Sequence, residues 1–96
     1  MSNFLVRVVL HAKTDLTHPS YTALHEAMEK GGFSRKIISA LGISYHLPPA
    51  EYRIDGVYTL DALHTKVKNI VDTIDTDNGI LISQHDNKTI WSGLKT

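Results

Sequence analysis

Alternating apolar residues define the first predicted strand, over residues 4–11. Successive side chains of a strand point to opposite faces, so one wholly apolar face of this segment is predicted to lie against the core. That face consists of Phe4, Val6, Val8 and Leu10. The other face is mixed and is predicted to meet water or a partner. It consists of Leu5, Arg7, Val9 and His11.

Two stretches of the chain have helical spacing. The first begins at Pro19, whose missing N–H needs no partner in a first turn, and ends at Gly31, since glycine accepts the conformation of a helix cap. Its apolar positions are Tyr21, Leu24, Ala27 and Met28. The second has Thr59 as its predicted N-cap and carries one apolar stripe. The stripe consists of Leu60, Leu63, Val67, Ile70, Val71 and Ile74.

The remaining segments predict further strands around one irregular region. Residues 39–51 are predicted to be irregular because Pro48 and Pro49 cannot lie inside a central strand. A turn is predicted at residues 85–88. A second strand is predicted at residues 33–38, and a third at 52–57, antiparallel to the second. A fourth strand is predicted to begin with residues 80–82, and a short extra strand is predicted at 89–91.

This order of elements predicts an α+β domain of the ferredoxin-like βαββαβ type, with residues 1–96 forming a single unit. In that fold a four-stranded antiparallel sheet carries both helices on one face. The other face is left open, so a functional surface is expected there.

Composition narrows the classes of function. The chain of 96 residues is 42% hydrophobic and 21% charged, as in folded globular proteins. Its formal net charge of zero argues against a strongly basic module that binds nucleic acid mainly through phosphate attraction. It has no cysteine, no signal-peptide pattern and no apolar run that could cross a bilayer, so we expect a cytoplasmic protein without membrane insertion. It has no dinucleotide or phosphate-loop motif, and no cofactor is expected.

Basic residues are the first candidates for function. Arg7 and Arg53 are predicted to point outward from the open face, and the second strand adds Arg35 or Lys36, depending on its register. Cations on adjacent strands can bind phosphates, or they can simply be solvated charges on a half-exposed sheet. The apolar residues that share the open face favour a further interpretation, a homodimer through the sheet.

The six histidines are the second candidates. They form no His-Glu-x-x-His pattern, and no cysteine is present to complete a zinc site, so no metal site is predicted. His25 lies at the edge of the first apolar stripe, where a histidine is usually a boundary residue with a solvated tip. The alternative is a general base, because neutral imidazole accepts a proton near pH 7.

Five short runs in the middle of the chain carry a family resemblance. They lie at residues 24–28, 33–34, 42–43, 47 and 52–54. In their composition and spacing they resemble the GhoS family of type V antitoxins. The matching residues are mostly apolar or glycine, so they specify the fold better than the chemistry.

The resemblance implies an endoribonuclease that destroys the message of a membrane-lytic toxin, which would be the RNA partner. The family's suspected cleavage residue, an arginine on the first helix, corresponds to His25 here. On this interpretation His25 and His11 are candidates for proton transfer, and the four basic residues named above are candidates for phosphate binding. The alternative is a non-catalytic ferredoxin-like module that dimerises or binds a protein or small ligand.

Overall fold

A computed structural model describes residues 2–11, 15, 18–39, 41–48, 50–85 and 93–94 of the chain. It contains two helices and five strands within these ranges. In chain order they are β1 (Ser2–Leu10), α1 (Pro19–Lys30), β2 (Lys36–Ile38), β3 (Ser44–His46), β4 (Glu51–Gly56), α2 (Leu60–Asp72) and β5 (Asn78–His85).

The longest strand, β1, lies at the centre of a three-stranded antiparallel sheet. β4 pairs with one edge of β1 and β5 with the other, so that Val6 lies between Tyr52 and Ile82. The short strands β2 and β3 pair with each other in a separate two-stranded sheet.

One apolar core lies between the three-stranded sheet and the helices. The face of β1 that alternation assigns to the core is buried, from Phe4 through Leu10, and this prediction is confirmed. Both helices bury their apolar stripes in the same cluster, so they cover the same face of the sheet and leave the opposite face open. The helical contribution is Tyr21, Leu24 and Met28 from α1, and Leu63, Val67 and Val71 from α2.

The second helix begins where its cap residue predicts. The Thr59 hydroxyl accepts a hydrogen bond from the Ala62 N–H at 3.1 Å, which satisfies one of the amides that a first turn leaves unpaired. The helix ends at Asp72, so Ile74 lies beyond it, and Leu60 in the first turn is exposed instead of joining the core. Neither of the two described helices combines the length and the apolar run that a membrane crossing requires.

The α+β class, with two helices and antiparallel strands, is confirmed, but a single four-stranded sheet is not. Of the predicted second strand, only Ser34 pairs with β4, in an isolated bridge to Arg53. A longer ladder would next pair Lys36 with Glu51. Instead the Lys36 N–H donates to Ser34 Oγ at 3.1 Å, and the Glu51 N–H donates to the Pro48 carbonyl at 3.1 Å. Both amides are thereby satisfied locally, and the ladder ends.

The bounds of the predicted strands shift by one to three residues, and two differences are larger. β3 lies inside the segment predicted to be irregular, because three residues are too few to show a period. β5 begins before the predicted start and extends to His85, since β1 offers it pairing partners along nearly its whole length. The predicted turn therefore starts within a strand at His85, while its remainder and the predicted extra strand at 89–91 lie outside the described residues.

Candidate functional site

The structure divides the six predicted site residues among three places. His25 on α1 lies near Arg35 on the helix side of the sheet, where the arginine charge acts on the imidazole. Lys36 and Arg53 line one cleft at the outer edge of β4, and Arg53, opposite Leu5 on β1, also lies on the open face. Arg7 and His11 belong to the open face of the three-stranded sheet.

The open face is amphipathic. Arg7 is exposed near its centre, with Glu51 as its neighbour on β4 and Leu81 on β5. A shallow hollow of about 240 Å³ lies around these residues. Leu81 is 67% exposed and Val9 is 43% exposed, so this face presents apolar surface as well as charge.

The open face carries no Phe, Tyr or Trp ring from the described residues of its three strands. Phe4 and Tyr52 lie on the core side, while His85, opposite Asn3 on β1, lines the hollow on the open face. Proteins that bind single-stranded RNA stack bases on Phe, Tyr, Trp or His rings. Among the described residues of this face, histidine is therefore the ring available to stack against a base.

His11 and His25 lie on opposite sides of the sheet. A Cβ at Gly79 would lie 3.3 Å from His11 Nε2, and Gly79 pairs with Val9, whose side chain is on the open face. His25, in contrast, bonds to the buried side chain of Tyr52. The structure does not bring the two histidines together as one acid–base pair.

Burial along β2 decides between the two basic residues of the second strand. Ile37 is only 4% exposed and points into the protein, so Lys36 is exposed on the other side. Lys36 lines a cleft of about 310 Å³ together with Arg53. We call this space the strand-gap cleft, because it opens where β2 separates from β4 after the Ser34 bridge. Arg35, one residue earlier, lies toward His25 instead.

Arg53 points outward as predicted, but it is already partnered. Its Nη2 atom donates to Asn3 Oδ1 at 3.1 Å and lies 3.3 Å from Asp55 Oδ1. Lys36 differs, because no carboxylate of the described residues lies within ion-pair distance of its ammonium. The strand-gap cleft therefore combines one cation that is paired with a carboxylate and one that has no ion-pair partner among the described residues.

The contact between His25 and Tyr52 is the most specific feature of the helix side. His25 Nδ1 lies 2.6 Å from the Tyr52 hydroxyl oxygen, and the two rings are 5.8 Å apart between centroids. Tyr52 is fully buried on β4, so its hydroxyl is held in place by the core. His25 is half-buried on α1 and also lies beside the Tyr21 ring. The core thus fixes the position of an imidazole that still reaches the surface.

Burial and neighbouring charges favour the neutral form of this imidazole. Burial lowers the pKa of His25 most, the Arg35 guanidinium lowers it further, and the Glu29 carboxylate partly offsets both. Burial also raises the pKa of the Tyr52 hydroxyl, which therefore stays protonated. At neutral pH the site therefore contains an uncharged imidazole, which can accept a proton, and a guanidinium close enough for its charge to act on that imidazole.

Sequence reasoning missed Tyr52 as a site residue and identified it only as part of a strand. A buried tyrosine needs a partner for its hydroxyl, and that requirement is the signal that was available. It does not identify His25 as the partner, because the two residues are separated by 27 positions and meet only through packing.

No group of three or more His, Asp or Glu side chains within the described ranges is placed to hold a metal ion. Comparison of the chain with protein families, with curated proteins and with solved structures finds no match.

Proposed function

We propose that the protein is a small endoribonuclease of the GhoS antitoxin type, which cleaves a toxin message with His25 as its general base. The observation that carries this proposal is the 2.6 Å contact between His25 and the buried Tyr52, beside the Arg35 cation. Among the predicted site residues, this is the place where a proton acceptor and a cation for a phosphate lie together.

The proposed cleavage uses the neighbouring 2′-hydroxyl of the RNA. His25 takes the proton from that hydroxyl, the 2′-oxygen bonds to the adjacent phosphorus, and the bond from phosphorus to the 5′-oxygen breaks. The leaving 5′-oxygen takes a proton from water, and His25 later returns its proton to solvent. The products are a 2′,3′-cyclic phosphate and a 5′-hydroxyl end. The Arg35 guanidinium stabilises the charge on the phosphorane oxygens.

This role requires one tautomer of His25. The imidazole must donate its Nδ1–H to the Tyr52 oxygen, so that Nε2 carries the lone pair that accepts the substrate proton. Nitrogen-15 spectra of histidine-labelled protein distinguish the two tautomers. A proton found on Nε2 at neutral pH would contradict the proposed base.

Cleavage of a defined RNA by purified protein in EDTA tests the function. We expect His25→Ala to lower the rate by roughly 100-fold or more, which is typical of the loss of a general base. His64→Ala is the matched control, because His64 is an exposed histidine on α2 and should be dispensable. The wild-type rate should also fall as the pH drops through a value below the ordinary imidazole pKa of 6.5. Unchanged cleavage by the His25 variant would remove the assignment, and no cleavage by the wild type would remove the function.

For the fold we propose the ferredoxin-like arrangement predicted from the sequence. Its support is the order β5, β1, β4, followed by the Ser34 bridge on the free edge of β4. The segment before β2 thus lies beside β4, where a ferredoxin-like fold has its second strand. In this interpretation the fourth strand is reduced to one bridge.

A second candidate function is a non-catalytic module that forms a homodimer through the open face. It is favoured by the exposure of Leu81 and Val9 on that face. Arg7 and Glu51 are direct neighbours across β1 and β4, so a two-fold axis through the face can set each against its opposite charge in the second copy. Sedimentation of the wild type and of Leu81→Asp tests it. Leu41→Asp is the matched control, because Leu41 is 87% exposed and lies away from this face, between β2 and β3. A wild type that stays monomeric at high concentration would exclude the dimer.

A further inference from the structure

The strand-gap cleft is formed by the early end of the pairing between β2 and β4. The bridge between Ser34 and Arg53 is made by two short hydrogen bonds of 2.8 Å and 2.7 Å, so the two segments are firmly joined at one point. Beyond it the Ser34 hydroxyl accepts from the Lys36 N–H, and the chain departs from β4. The gap that remains, of about 310 Å³, is at the lower end of the size range of small-molecule sites.

The described lining of this cleft favours an anion. It contains the ammonium of Lys36, which has no carboxylate of the described residues within ion-pair distance, and the guanidinium of Arg53. The contacts of Arg53 to Asn3 and Asp55 both use Nη2, which leaves the rest of its guanidinium for a further acceptor. Asp55 is the one carboxylate of the lining, so the cleft keeps one net positive charge. The exposed Ser44 supplies a hydroxyl donor.

Apolar residues complete the lining. Ile38 is 60% exposed and supplies most of this apolar surface, while Ile54 lies largely in the core and borders the cleft. A surface of this kind suits the sugar or base attached to a phosphate better than it suits a free inorganic ion. The size of the cleft allows one nucleotide unit.

We propose that the strand-gap cleft binds one phosphate of an RNA strand, with the Lys36 ammonium and the Arg53 guanidinium as its cationic ligands. The identification of the bound nucleic acid as RNA rests on the proposed function. To that function the cleft adds a phosphate-binding position that is distinct from the His25 site. Arginine matches phosphate through its planar fork, and lysine adds a compact charge. The Asp55 carboxylate partly neutralises the Arg53 charge, so it opposes the binding of a second anion there.

Two substitutions with opposite expected effects on nucleotide affinity test the cleft. Lys36→Met should weaken binding of uridine 5′-monophosphate about tenfold, because it removes a charged donor. Asp55→Asn should strengthen the same binding by roughly two- to fivefold, because the opposing carboxylate of an exposed ion pair is lost. Lys30→Met is the matched control, since Lys30 is an exposed lysine at the end of α1 and is expected to leave the affinity unchanged.

The binding is measured by amide chemical-shift titration of the full chain with inorganic phosphate, uridine 5′-monophosphate and uridine. We expect saturable shifts at Ser34, Lys36 and Ser44 with both phosphate compounds, stronger for the nucleotide, and none with uridine. The absence of saturable shifts at Ser34, Lys36 and Ser44, or equal losses in the Lys36 and Lys30 variants, would overturn the proposed site.

A third comparison separates this proposal from the proposed function. His25→Ala should bind uridine 5′-monophosphate with the affinity of the wild type, because His25 is not part of the cleft lining. If the nucleotide binds as expected but no RNA is cleaved, the binding site is supported and the nuclease function is refuted. If RNA cleavage depends on His25 but Lys36→Met changes neither nucleotide binding nor the Michaelis constant for RNA, the binding site is refuted and the nuclease function is supported.

Discussion

The hydrogen bond between His25 and Tyr52 is the contact on which the proposed site depends, and Tyr52→Phe removes it while keeping the ring. Tyr52 is fully buried, and the phenyl ring that remains fills the same space, so the loss of packing is small. The net value of one hydrogen bond is about 1 kcal/mol. His25 Nδ1 is then left without its partner, but the half-buried imidazole can recruit water, so the added penalty is small. We expect a loss of about 1 to 1.5 kcal/mol in the free energy of unfolding, against roughly 3 to 5 kcal/mol for truncation of such an aromatic side chain to alanine.

A double-mutant cycle measured by urea denaturation isolates this contact. Tyr52→Phe, His25→Ala and the double variant should show a coupling energy of about 1 kcal/mol, with unchanged dependence on urea. The matched control is Tyr58→Phe, because no hydrogen bond to the Tyr58 hydroxyl is seen among the described residues. The effects of Tyr58→Phe and His25→Ala on the free energy of unfolding should be additive. Additivity of the Tyr52 and His25 substitutions within about 0.5 kcal/mol would refute the hydrogen bond as an energetic link.

Three further substitutions or conditions have defined outcomes. Tyr21→Phe should destabilise the fold by about 1 to 3 kcal/mol in urea denaturation, because the Tyr21 hydroxyl is the acceptor, at 3.0 Å, for the buried Leu10 N–H; a neutral effect would show that this amide has another partner. The difference in free energy of unfolding between wild type and His25→Ala should shrink as the pH falls below 6.5. The reason is that the pKa of His25 is lowered in the folded protein, so the unfolded chain binds the proton first. Denaturation at pH 7.5 and 5.5 measures this difference, and a larger value at pH 5.5 would contradict the prediction. Thr59→Ala should cost about 1 kcal/mol by loss of the cap bond to the Ala62 N–H, while Thr59→Ser retains it; thermal melts of both variants show whether the two differ.

The candidate site was only partly predictable. Residue type and face identified Arg7 as outward-pointing and His25 as a boundary residue, and both placements agree with the structure. The choice between Arg35 and Lys36 depended on a register that the sequence left open. The partner of His25 was not predictable, since Tyr52 reaches it through the packing of α1 against β4.

Residue pattern alone was enough to predict the buried side of β1, most of the apolar stripe of each helix and the cap at Thr59. These follow from the period of side chains along one strand or helix, which is a local property of the chain. The departure of the chain from β4 after Ser34 became visible only in the folded protein, where the amides of Lys36 and Glu51 bond to acceptors two and three residues away. Whether an amide bonds to such a local acceptor or to a distant strand follows no period along the chain, so the sequence pattern could not predict the strand-gap cleft.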